Sequence, residues 1–329
     1  MNIQRIDSED SGLILACYEV YLAAHRVDAP GEGYLGPAMF RHMVTVGWQP
    51  SARHERWAAT NADGVTGWYL LHMAERENQH RAFLNLTVHP ARRRRGTGRA
   101  LLRHATDHAI SAGRTTLTGS AVDGGPGESF ARQAGASQGL SDVCRVLDLA
   151  TLPPLATVRA GCERAAAGYS TVSWTGPVPE QYLDGVAAVF NAFGDAPHDA
   201  DYQRPQWTAE RIREDVSRSR SRTPDKNFVV AAVCDQTAEM AAMTEVFTDP
   251  EVPEWGSQGV TAVVRKHRGH RLGLLVKLVM LDLLAEELPD LKRIQTWNAT
   301  VNPHMIAVNE TLGYAPAGSP HTRWRLDLR

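Results

Sequence analysis

Along this chain apolar residues recur in two rhythms, one of about 3.6 residues and one of two, which predict helices and strands in turn. Leu15, Tyr18 and Leu22 mark a helix over Ser11–His25, with Asp7, Ser8 and Asp10 available as caps, and Met39–Val46 reads as a second. Strands follow at Arg56–Thr60, Gly67–Ala74 and Arg81–Val88. A helix after Gly98 keeps Leu101, Leu102, Ala105 and Ala109 on one face until Gly113 stops it. Thr115–Ser120 is β-rich, Glu128–Gln133 forms a short helix, and Val143–Leu149 alternates as a closing strand. Pro153 and Pro154 then punctuate the chain, and Leu155–Ala167 predicts a connecting helix.

The plan then repeats. Gly168–Trp174 is a strand, Pro179–Phe193 and Thr208–Arg218 are helices, and Asn227–Cys234 and Glu239–Phe247 are strands. Gly259–Val264 leads into a loop and the helix Gly273–Leu288, after which come the strand Ile294–Asn298, the helix Pro303–Leu312 and a last strand, Thr322–Leu328. In each half an apolar strand meets a basic, glycine-bearing loop and then an apolar helix. The loops are Val88–Arg99 and Val263–Gly273, and a valine precedes the closing glycine, Gly98 or Gly273, by ten residues in both. A match of that kind over a whole domain predicts a duplication. Domains are expected at 1–150 and 169–329, joined by a linker over 151–168.

A strand–loop–helix of this composition is suited to anions. Backbone N–H groups at a helix start lack internal partners, glycines admit a phosphate, and Arg92–Arg95 supply charge. Composition narrows the rest. A chain of 329 residues has length for two cores, and a net charge of −2 makes the arginines a local feature, not a nucleic-acid or membrane surface. The cysteines Cys17, Cys144, Cys162 and Cys234 are widely spaced and fit a reducing, cytoplasmic setting. The first ten residues lack an apolar leader segment, and the longest apolar run, around Leu272–Leu284, is broken by Lys277 and Asp282, as suits a buried helix face. His104 and His108 lie one turn apart, but no cysteine or acidic cluster completes a ligand set, so no metal is expected.

These residues resemble the GNAT superfamily of N-acetyltransferases, present in tandem. The family signature, Arg/Gln-x-x-Gly-x-Gly/Ala, is met at every defined position by Arg93-Arg94-Arg95-Gly96-Thr97-Gly98. Arg268-Gly269-His270-Arg271-Leu272-Gly273 meets it except at Arg271, where the first glycine is expected. A helix from Asn302 to Leu312-Gly313-Tyr314 is similar to a second family element, of which Ser129–Ala136 is a degenerate copy. The tandem arrangement is most similar to proteins of the mycothiol synthase type. The resemblance implies an α/β (α+β) chain of two GNAT-like domains, each a mixed, mostly antiparallel, splayed sheet flanked by helices.

It also implies acetyl-CoA as cofactor, with its pyrophosphate on the two loops and its pantetheine along the strands that enter them. The cofactor-binding residues would be Leu86, Val88, Arg93, Arg94, Arg95, Gly96, Thr97, Gly98 and Arg99 in the first domain. In the second they would be Val263, Val264, Arg268, Gly269, His270, Arg271, Leu272, Gly273 and Asn302. The implied chemistry is direct attack by the primary amine of a small molecule, with a strand N–H polarising the thioester carbonyl and a carboxylate removing the amine proton. Glu245 is the candidate base, the alternative being that it faces solvent on a half-exposed strand. Asn298 and Asn302 are candidates for orienting substrate or pantetheine; as strand-end and cap residues they would need no such role. The family's usual tyrosine acid is missing, because Ala131 and Asn309 stand at its positions. The expectation is that the first domain binds cofactor best and the second carries the chemistry, in a monomer or homodimer. The competing reading is an acyl-CoA sensor or structural protein.

Overall fold

A computed structural model describes residues 1–48, 52–195, 197, 199 and 201–328. The elements in chain order are β1 (Asn2–Arg5), α1 (Ser11–Asp28), α2 (Pro37–Thr45), β2 (Ala52–Asn61), β3 (Gly64–Ala74), β4 (Arg81–Val88), α3 (Thr97–Ser111), β5 (Thr116–Val122), α4 (Pro126–Gln133) and β6 (Ser137–Asp148). They continue with α5 (Ala156–Ala165), β7 (Tyr169–Thr175), α6 (Leu183–Phe193), α7 (Ala209–Arg211), α8 (Arg218–Arg220), β8 (Lys226–Cys234), β9 (Met240–Thr248), β10 (Trp255–Val263), α9 (Leu272–Glu287), β11 (Arg293–Ala299), α10 (Pro303–Leu312), β12 (Ala315–Pro316) and β13 (His321–Asp327). The helix expected over Thr208–Arg218 is there, but its middle, Ile212–Ser217, is wound as a π-helix.

Two compact units result. Unit 1 comprises Met1–Val143, Asp199–Gln203 and Gly318–Arg329, and unit 2 comprises Cys144–His198 and Arg204–Ala317. These boundaries are not the expected 1–150 and 169–329. The strand assigned to close the second domain, β13, belongs to unit 1, where it pairs antiparallel with both β5 and the start of β6. Residues 151–168 are no free linker either: Leu155, Val158, Cys162 and Ala166 pack with Leu272, Leu275 and Leu278 in the unit 2 core.

In unit 1 the strand order is β1-β2-β3-β4-β5-β13-β6. One face buries Ile14, Phe40, Met43, Trp68 and Leu70 under α1 and α2. The other buries Tyr69, Leu71, Met73, Leu101 and Ala105 under α3. Alternation along β3 sends successive side chains to opposite faces, which is how one strand feeds two cores. Unit 2 repeats the scheme. Val186, Val189, Val229 and Met243 pack on the α6 face, and Val230, Ala242, Val246 and Val276 on the α9 face.

Each unit sets one short parallel pair among antiparallel ones. β4 pairs with β5 only over Arg81–Phe83 against Thr116–Thr118. β10 pairs with β11 only over Trp255–Ser257 against Arg293–Gln295. Beyond those residues the strands splay and leave an unpaired edge on β4 and on β10. In unit 2 the splay is sharpened by a bulge between Gln258 and Thr261, absent from the even β3–β4 register. An extra residue bends the strand and takes one amide out of the ladder.

Trp324, on β13, faces Gly119 across the strand pair and is 5% exposed. Trp324→Ala is expected to cost about 3–5 kcal/mol, read as a lower denaturation midpoint of unit 1 although the residue lies near the chain's end.

Candidate functional site

The two loops are built alike. After β4, His89 gives its N–H to Thr66 O, a single 3₁₀ turn follows over Pro90–Arg92, and Arg94 and Gly96 take left-handed conformations (φ 62° and 87°) before α3 begins. After β10, Val264 gives its N–H to Ala241 O, Arg265–His267 form the same turn, and Gly269 and Arg271 are left-handed (φ 91° and 54°) before α9. The N–H groups of Arg94–Arg99 and of Gly269–Gly273 have no acceptor among the described residues. Successive amides turned outward at a helix start form a concave anion site.

The first arginine of each signature is a brace. Arg93 donates from Nε to Val88 O at 3.2 Å and grips Asp28 with both guanidinium nitrogens at 2.9 and 2.5 Å. Arg268 repeats this with Val263 O at 3.3 Å and Asp195 at 2.8 Å. The hydrogen bond from Arg268 holds the Asp195 carboxyl below the usual carboxylate range. Arg93 and Arg268, expected as phosphate ligands, are therefore spent on tying the strand end to the ends of α1 and α6. Arg94, Arg95 and Arg99 are exposed and without partners among the described residues, so they remain for an anion. Thr97 and Leu272 are buried and contribute backbone only. A Cβ on Gly98 or Gly273 would lie 3.4 Å from Phe130 or Val263, ordinary contact, which explains why the signature admits alanine there.

Unit 2 differs at Arg271. In place of closing on the loop, its guanidinium lies over Gly161 of α5, 2.9 Å from where a Cβ would stand, and His270 bonds Ala165 O at 3.1 Å. Arg265 and Lys266 are likewise paired, with Asp195 and Glu239. Both loops fit a diphosphate by their free amides, but only the first adds unpaired cations.

At the unit 2 splay the structure gathers groups the sequence did not bring together. Glu245 is 3% exposed, not solvent-facing. One of its oxygens is paired with Arg220, and Oε1 accepts the N–H of Val260, in the bulge, at 3.1 Å. Each oxygen thus has one partner, and its second lone pair remains for a proton. Asn298 accepts from Asn309 Nδ2 at 2.7 Å, and Asn309 in turn accepts from Lys277 Nζ at 2.9 Å. Lys277 also donates to Gln258 Oε1 at 3.1 Å, and Gln258 reaches Thr244 Oγ1 at 2.9 Å. Asn302 caps α10, its Oδ1 accepting the Met305 N–H at 3.3 Å, which is the cap role its sequence position also suggested. Leu86 and Val88 pack half-buried towards α3, and Val263 packs likewise towards α9, leaving only strand edges to a ligand. Lys277, Arg220 and Gln258 were missed; the one signal was a lysine inside the apolar run of α9.

A strand pair that splays beside an open anion loop, present once in each unit, defines a duplicated acyltransferase fold of the GNAT type. The comparisons agree. Residues 18–123 match the acetyltransferase (GNAT) family. A tandem GNAT protein from the clavulanic acid biosynthesis pathway, in a structure without AcCoA, matches over 100% of this chain and 98% of its own at 26% identity and a TM-score of 0.84. A GCN5-related N-acetyltransferase from Sphaerobacter thermophilus shares the fold over 100% and 96% of the two chains at 13% identity and a TM-score of 0.68. No curated protein matches in sequence. The chain as a whole thus has the fold of a tandem GNAT protein, a fold of acyl-CoA-dependent acetyl transfer, and within unit 1 residues 18–123 carry the family match. No described helix is long and apolar enough to cross a membrane.

The left-handed positions carry opposite signs. Gly96→Ala should destabilise unit 1 by about 1–2 kcal/mol, while Arg271→Gly should relieve a strain of about that size in unit 2; paired denaturation curves measure both.

Proposed function

We propose that this protein transfers an acetyl group from acetyl-CoA to the primary amine of a small molecule by direct attack, with unit 1 the stronger binder of cofactor and unit 2 carrying the chemistry on cofactor bound at its own loop. The carrying observation is that each splayed strand edge ends at a loop of free amides, while in unit 2 the splayed strand itself is bulged and has the buried Glu245 and Lys277 beside it. Acetyl-CoA, when bound, supplies the activated acyl group. The chain's part is to hold the diphosphate on Arg94–Arg99 or Gly269–Gly273, to present the Val260 N–H at the bulge, and to take the amine proton on Glu245. Arg220 keeps that carboxylate in place, and its Nη1, buried and without a partner among the described residues, leaves a donor for the acceptor's own polar groups. None of Cys17, Cys144, Cys162 and Cys234 is in a disulfide among the described residues, which suits a reducing cytoplasm, and we expect a monomer or homodimer.

A second reading, an acyl-CoA sensor, is favoured by the double commitment of Glu245 and by Asn309 in place of a hydroxyl. Turnover decides between them. Acetyl-CoA should raise the melting temperature, since a ligand of the native state stabilises it. A panel of small amines should then release thiol; release with none selects the sensor. Glu245→Gln should keep acetyl-CoA binding and lose about 10²–10⁴ in turnover. Arg94→Ala with Arg95→Ala should weaken acetyl-CoA binding about tenfold at low salt, an effect that shrinks as salt screens exposed charge; calorimetry at two ionic strengths measures it.

A further inference from the structure

Lys277 is a fully buried ammonium at the splay, 2% exposed, and among the described residues no carboxylate pairs with it. Burial alone pushes its pKa down to about 7. A buried cation costs free energy that a paired one recovers from its partner. Here the partners are amide oxygens of Gln258 and Asn309, and the ammonium also sits 4.9 Å from the Tyr314 ring centroid. An ammonium has three protons to donate; the third has no acceptor among the described residues.

Its place is specific. Ser257 is the last residue of β10 to pair with β11, so Gln258 stands at the vertex of the splay. Lys277 reaches that vertex from the α9 face, through Gln258. Glu245 reaches it from the α6 face, through the Val260 N–H, because Thr244 and Glu245 alternate across β9. One strand bend thus separates a carboxylate from an ammonium with a proton to spare.

We propose that Lys277 is the proton donor to the leaving sulfur in unit 2, held at the vertex by Gln258 and Asn309. The inference rests on the acyl-transfer reading above. The acceptor nitrogen bonds to the acyl carbon and gives its proton to Glu245. The carbon–sulfur bond breaks, its electron pair goes to sulfur, and Lys277 delivers a proton there. Thioester and amine become amide and thiol, and both side chains are reset by exchange with water. The titratable groups facing Lys277 are few: Tyr314, whose pKa burial raises, beside it, and Glu245 across β9.

The test uses the full chain with unacylated CoA as probe. Bound thiol is titrated by its ultraviolet thiolate absorption in wild type, Lys277→Met and Lys277→Arg, and the difference between wild type and Met variant isolates unit 2. The expected result is a thiolate that appears at lower pH in wild type and Arg variant than in Met variant. Turnover should fall about 10²–10⁴-fold in both variants, since arginine keeps charge but does not release its proton. Folding is followed by melting: relative to the Met variant, wild type should gain stability as pH rises from about 7 to 10.5, the window between the folded and ordinary lysine pKa. Identical thiol titrations with CoA bound would overturn the assignment to Lys277 alone. Failure of CoA to bind at all would overturn the acyl-transfer reading and the proposal with it.

Discussion

The arginine brace is the constraint on which both sites depend. A strand end that ran straight into a helix would spend its amides on the first turn and on the neighbouring strand. By tying Val88 O and Asp28 together, Arg93 fixes where β4 stops, and the chain must then double back through two left-handed residues before α3 can start. Arg268 does the same with Val263 O and Asp195. The outward amides are what remains when a strand is ended in this way. The first brace is bidentate and its two side chains are 21% and 26% exposed; the second is looser, at 47% and 32%. Screening by water discounts the second more than the first.

From this shared frame the units diverge in how they use charge. Unit 1 leaves Arg94, Arg95 and Arg99 to solvent, at the mouth of its loop. Unit 2 turns Arg271 and His270 onto α5 and pairs Arg265 and Lys266, so its loop has amides and little else. Its polar groups lie inside, around the bulge. The division of roles proposed above rests on this contrast in where each unit places its charge.

Much of this was legible in the sequence, and what was not has a common cause. The duplication, the loops and most elements follow from local rhythm and from glycine and arginine spacing, which act over ten residues or so. β13 shows the limit: alternation over Thr322–Leu328 identifies a strand, but it carries no information on whether the strand closes its own unit or the one before. Glu245 was recognisable as a carboxylate on a strand. That Arg220 would hold it depends on a helix, with a π turn, brought back across the sheet. Arg93 was assigned to phosphate because its residue type suits one, and only the structure shows Asp28 there first. Lys277 left a trace, a charge within the apolar face of α9, and a buried lysine is rare enough to merit that reading.

The pairing of the two units also argues for what the buried charges are for. Through the shared register, Glu245 occupies the place of Leu70, which is fully buried in unit 1. Gln258 opposes Val246 as Leu84 opposes Leu71, and Lys277 follows its loop as Leu102 follows the first. Three leucines in one copy are an acid, an amide and a base in the other. The same fold is therefore stable with an apolar interior at these positions, and replacing buried charges by apolar residues is often neutral or stabilising. Stability does not account for Glu245, Gln258 and Lys277. They converge on the single bend where β10 parts from β11, and the acyl transfer proposed above, which moves one proton off an amine and another onto a sulfur, would use a carboxylate and an ammonium on either side of such a bend.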